Sequence, residues 1–194
     1  MLKKTIGAKL LATVAVLGVL AAVGSVAVFS AFSSTTSNTG NSFATGSITL
    51  TDNDSASAMF TLTGLKGGDT SSKCIKVDYA STGSVNSTVK LYGATAGSGL
   101  ADYLDVVVTK GTFPGAPPAS FGCAGFTAGG AGSTLHTGTL TAYPDNFAGG
   151  YTDPDASWSN GESAVYKIDV TVQSVAAAQG KTATQDFIWE ANSI

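Results

Sequence analysis

An all-β chain folded as an antiparallel sandwich, preceded by an amino-terminal signal helix, is what this sequence predicts. Three observations carry the prediction. Several stretches alternate apolar and polar residues at period two, clusters of Gly, Asn, Asp and Pro punctuate them, and no segment after residue 31 repeats with helical period beyond a short turn at 175–179. The sandwich is of jelly-roll or immunoglobulin-like kind, and alternation alone does not choose between those topologies.

At the amino end, Lys3, Lys4 and Lys9 precede an uncharged apolar run over residues 10–28, the order of a secretory signal. Ser25, Val26 and Ala27 offer the small residues that a signal peptidase reads, so residues 1–27 are expected to be removed, with cleavage after Ala31 as the alternative. A retained anchor is the competing reading, because the run nearly spans a bilayer core of roughly 30 Å. Removal takes three of the ten basic residues and none of the thirteen acids, leaving a product more anionic than the −3 of the whole chain. No arginine occurs anywhere, which argues against nucleic acid as a partner, since arginine is the usual bidentate reader of phosphates and guanine edges. Membrane contact is expected only through the signal segment. Residues 28–42 are polar and hydroxyl-rich without periodicity, and are expected to be mobile in an isolated monomer.

The sandwich is expected to occupy residues 43–194 as one domain. Ile48 and Leu50 mark one face of a first strand, Asp52, Asn53 and Asp54 a turn, Phe60 and Leu62 a second strand, and Leu65 to Asp69 (LKGGD) a further turn. Five later segments alternate: Ile75, Val77, Tyr79; Val85, Val89, Leu91; Leu104, Val106, Val108; Tyr166, Ile168, Val170, Val172; and Phe187, Trp189, Ala191. Lys76, Asp78, Lys90, Asp105, Lys167, Asp169 and Asp186 fall between them, so each strand has one wet face. A weaker strand is expected over 133–140. Two long connections, 110–132 and 143–161, interrupt the pattern.

Cys74 and Cys123, the only cysteines, suit an oxidising compartment and can form a single bridge closing a loop of about fifty residues, worth roughly 4 kcal/mol in the chain-entropy model. Two unpaired thiols are the other possibility. Alternation puts Cys74 on the opposite face from Ile75, Val77 and Tyr79, so a bridge would tether the 110–132 loop across the outside of a sheet.

Three ordered motifs resemble a known family. Phe43-Ala44-Thr45-Gly46-Ser47-Ile48-Thr49-Leu50, then Leu65-Lys66-Gly67-Gly68-Asp69, then Gly161-Glu162-Ser163-Ala164-Val165-Tyr166 with the closing Phe187-Ile188-Trp189-Glu190-Ala191, look like the TasA/camelysin family of secreted bacterial proteins. That family often has Pro where Gly67 stands, and the middle of the chain, about 93–160, carries no matching motif. The resemblance implies a jelly roll and, for TasA-like members, an extracellular subunit of biofilm-matrix fibres. Those polymerise by donor-strand exchange after signal removal. Here the donor strand would lie within residues 32–41, beginning Phe32, Ser33, Ser34, Thr35 and Thr36, with Phe32 as its only large apolar anchor. The implied partner is the protein itself, with minor fibre or cell-wall components as further candidates.

Catalytic chemistry finds little purchase. Camelysin-type members carry a metallopeptidase label, yet this chain has a single histidine, His136, and no His-Glu-x-x-His pair, and its only glutamates are Glu162 and Glu190. His136, among Ser, Thr and Gly, reads as a surface strand residue. No Gly-x-Ser-x-Gly elbow occurs, and bridging would remove the thiol nucleophile. The expectation is a protein that is not an enzyme and needs no cofactor. Calcium has weak candidates in Asp153, Asp155 and Glu162, but Trp158 and Ala164 stand where an EF-hand needs Gly and Glu. Asn86-Ser87-Thr88 is formally a glycosylation sequon that reads more simply as strand. Tyr143, Phe147, Tyr151 and Trp158 form an aromatic loop that either pins itself to the sandwich or presents rings to a glycan. The leading expectation is thus an extracellular fibre subunit. A camelysin-like secreted metallopeptidase and a monomeric wall-associated adhesion module are the alternatives.

Overall fold

The computed structural model describes residues 47–53, 57–115 and 121–194. The signal segment, the candidate donor residues Phe32 to Thr36, the start of the Phe43 motif and Asp54 lie outside them.

Two antiparallel layers form the sandwich. The larger runs β1 (Ile48–Asp52), β2 (Thr70–Ser81), β9 (Ser163–Val172), β5 (Leu104–Thr112), and the far side of β5 is shared by β6 (Thr127–Ala128) and β7 (Thr134–Thr139). The smaller runs β8 (Tyr151–Thr152), β3 (Ser87–Tyr92), β11 (Ile188–Ser193), and a further ladder pairs β4 (Thr95–Gly97) with β10 (Ala183–Gln185). Those two ladders keep one register: Tyr92 faces Ile188, Thr95 faces Gln185, and Asp186 N–H donates to Ala94 O between them. They are one bent ribbon. The bend is at Gly93, where an added Cβ would stand 1.7 Å from the Asp186 carbonyl oxygen, so only glycine allows the two backbones to approach.

Alternation places the core as the sequence predicts. Ile75, Val77 and Tyr79 of β2, Leu104, Val106 and Val108 of β5, and Tyr166 and Ile168 of β9 are buried against Val89 and Leu91 of β3. Burying side chains of this size contributes about 1.5–3 kcal/mol each. The outer faces carry the ion pairs Lys76–Asp78 and Lys167–Asp169, which are partly exposed and add little.

Three expectations need correction. No strand forms around Phe60 and Leu62, because β1 takes β2 itself as partner, Leu50 opposite Tyr79, and so occupies the edge of β2. Val85 lies ahead of β3, its carbonyl accepting from Tyr79 OH at 2.8 Å. Phe187 precedes β11, beside the bend. The Lys66–Asp69 turn forms as read: Lys66 N–H donates to Asp69 Oδ2 and Asp69 N–H to Lys66 O. Gly67 stands where the backbone of Ser174 comes close enough to meet any Cβ at 2.7 Å, which accounts for glycine at this position.

Candidate functional site

The smaller sheet is too short to cover the larger. Strands β2, β9 and β5 have 12, 10 and 9 residues, whereas β3 and β11 have six each. Beyond the reach of β3, the inner face of the larger sheet is bordered by the 57–65 connection, by Leu100, Leu140 and Val175, and by the segment entering β10. An apolar cleft of about 1060 Å³ results, with Val106, Val170 and Val172 on its floor and Phe60, Phe187 and Trp189 on its walls. Of the four large apolar residues exposed on the described surface, Leu62, Val175 and Ile188 all line this cleft. Exposed apolar residues scattered singly need no explanation, but a rimmed concentration marks a place where something apolar docks.

Beside the cleft runs an edge of β11 that pairs with no further strand among the described residues. Asp186 N–H bonds Ala94 O and Ile194 N–H bonds Asn86 O, so even-numbered residues of the ribbon face β3 and β4. The backbone groups of Trp189 and Ala191 therefore point the other way, where no backbone partner takes them among the described residues. Trp189 also keeps its buried indole N–H without an acceptor among those residues.

The cysteines meet as a disulfide with Cα atoms 5.3 Å apart. Cys74 lies on the outer face of β2, as alternation requires, yet is only 3 % exposed, because the cysteine loop lies over it. Phe121 O accepts from Cys74 N–H at 3.0 Å, so the loop also caps the edge of β2 beyond β1.

Asp153, Asp155 and Glu162 do not converge. Asp153 is buried, with its oxygens occupied by Lys110, Trp158, Tyr166 and the Asp155 N–H. Asp155 Oδ1 accepts from Ser157 N–H and Glu162 Oε2 from Ser159 N–H, which are turn-forming bonds. Among the described residues, no three His, Cys, Asp or Glu side chains gather as a metal site would require. The aromatic loop turns inward: Trp158 and Tyr143 are buried, and Phe147 and Tyr151 half-buried. Trp158 meets Tyr79 edge-on with ring centres 6.3 Å apart, and Tyr143 meets Phe187 at 5.6 Å. In the sequon, Asn86 is exposed but its amide donates to Ser157 Oγ, while Ser87 is wholly buried.

His136 is a correction of substance. It was expected at the surface and is 4 % exposed, because Tyr143 and Tyr151 fold over β7. Its Nδ1 lies 2.8 Å from Tyr151 OH, and its Nε2 has no partner among the described residues. Loss of hydration pushes its pKa below the ordinary 6.5, a shift only partly opposed by the neighbouring backbone of Thr139 and Gly138. Burial raises the pKa of both tyrosines, so neither becomes an anion to stabilise a charged ring. Because the unfolded chain binds this proton more readily, the contribution of His136 is complete above about pH 6.5 and is lost as pH falls through its lower folded value. Urea midpoints should therefore fall from about pH 7 to about pH 5 more steeply in the wild type than in His136→Phe. Equal slopes would show that the ring stays solvated.

Lys110 is the residue that sequence reasoning passed over, although the signal was present. It follows Leu104, Val106 and Val108 on the same face of β5, so period two places its stem toward the core. No protein-family model matches the chain, and neither does any curated protein.

Proposed function

We propose that this protein is an extracellular, non-enzymatic structural subunit that polymerises by strand donation, as its resemblance to TasA-like proteins implies. The observation that carries the reading is the apolar cleft lying along this edge of β11. A strand entering there from a second copy would bond the outward backbone of Trp189 and Ala191, offer a carbonyl near the Trp189 indole, and bury an apolar side chain among Val170, Val172 and Phe187. The occupant is the 32–41 segment of a neighbouring copy. It is polar and hydroxyl-rich, able to lie half in water, and Phe32 is its single large apolar residue. Head-to-tail contacts of this kind do not close on themselves, so they generate fibres.

Negative-stain electron microscopy of the secreted protein beside a version beginning at Asn41 tests this, in the same salt and pH. Fibres from the first and monomers from the second are the expected result. Monomers from both would overturn it, and fibres from both would move the assembly contact away from residues 32–40.

A further inference from the structure

A lysine on a core face needs a reason. In the β5–β9 register Lys110 stands directly opposite Tyr166, and its side chain crosses the sandwich to the residue that follows β8. There Lys110 Nζ lies 2.5 Å from Asp153 Oδ1, the carboxylate having no exposure and the lysine side chain 21 %. Donors hold both oxygens of Asp153. Trp158 Nε1–H (3.0 Å) and Asp155 N–H (2.8 Å) donate to Oδ1, and Tyr166 OH donates to Oδ2 at 2.6 Å. The Trp158 ring shields the amine from water, its centre 5.3 Å from Nζ.

We propose that Lys110 and Asp153 condense into an intramolecular amide that joins the two sheets covalently. Transfer of one proton from the Lys110 ammonium to the carboxylate it touches yields a free amine facing a carboxylic acid. The Nζ lone pair attacks Cγ and the N–C bond forms, while the carbonyl electrons move onto Oδ1 between its two N–H donors, an oxyanion hole by geometry. Collapse of that intermediate restores the carbonyl and breaks the Cγ–Oδ2 bond. Oδ2 leaves as water, carrying the two protons that the nitrogen sheds, with the Tyr166 hydroxyl as their relay. Nothing is oxidised or reduced, and no co-reactant is consumed. Fixed neighbours of this kind react with effective molarities of about 10⁵ M or more, which removes the need for a separate enzyme.

The inference does not depend on fibre formation. It is tested on the folded full-length protein, taken as the monodisperse fraction from gel filtration, by mass spectrometry of tryptic fragments after disulfide reduction. With the amide formed, the stretch 91–167 should resist cleavage after Lys110 and weigh one water less than its sequence. Cleavage after Lys110, or the full mass, overturns the proposal. In Lys110→Arg, which keeps a cation in place, trypsin should cut at 110 and both fragments should have full mass. A water lost from the 111–167 fragment there would locate the dehydration at another aspartate, since Pro154 leaves Asp153 no following N–H to cyclise onto, and would overturn the proposal as well.

Discussion

Asp153→Ala is expected to lower the unfolding free energy by about 3–5 kcal/mol, the cost of leaving two buried donors without their acceptor. Asp153 is the acceptor on which one corner of the core converges. Its loss leaves the Trp158 indole N–H and the Tyr166 hydroxyl without partners in a region closed to water, at about 1–3 kcal/mol for each donor left unsatisfied. Lys110 fares better, since its side chain retains partial exposure and can swing toward solvent. That escape is the reason for expecting the whole effect to stay within a few kcal/mol. Against a typical total of about 5–15 kcal/mol, the loss is a large fraction of stability. Urea unfolding followed by tryptophan fluorescence measures it directly, because Trp158 is itself in the cluster. A change below about 1 kcal/mol would mean that water enters and satisfies the orphaned donors.

The Tyr166 hydroxyl belongs to the same account. Burial first, and the neighbouring Asp153 carboxylate second, push its pKa well above the ordinary tyrosine value. It therefore stays a donor throughout the usable pH range, and the acceptor it needs is built into the fold.

How much of this was legible beforehand follows from what alternation encodes. Period two states which face a residue takes, and for β2, β5 and β9 that was sufficient: Ile75, Val106 and Ile168 are where their spacing puts them. It does not state which strands are neighbours. The 57–65 stretch has strand-like spacing, yet it forms no ladder, because the edge it would have joined is taken by β1. Burial by distant segments is equally invisible. His136 has mostly small polar neighbours in sequence, Leu135 apart, and the rings that cover it come from residues 143 and 151. The acidic loop misled for a related reason. Alternating oxygens look like cation ligands until one learns that Lys110, more than forty residues away, already neutralises the first of them. The cleft was beyond sequence altogether, since it arises from the unequal lengths of two layers and not from any motif.

Removing the disulfide by Cys74→Ala with Cys123→Ala is expected to cost roughly 4 kcal/mol, because the bridge closes a loop with a sequence separation of 49. With a urea dependence of about 2 kcal/mol per molar, the midpoint should fall by roughly 2 M. The loss is not only entropic. Phe121 sits buried against the sheet with its carbonyl on Cys74 N–H, and it holds that place with a backbone φ of +59°, an unusual conformation for a residue with a side chain. Without the tether, only the burial of Phe121 and that one backbone bond oppose the strain, so the loop should lift and uncover the edge of β2. An uncovered edge can accept a strand from another molecule. The double variant should consequently form amorphous aggregate at protein concentrations where the bridged protein forms none. Light scattering under matched conditions, with reductant added to the bridged protein as the parallel case, decides it. If the variant loses stability but scatters no more than its parent, the loop holds the β2 edge without the bridge, and the disulfide acts on the unfolded chain alone.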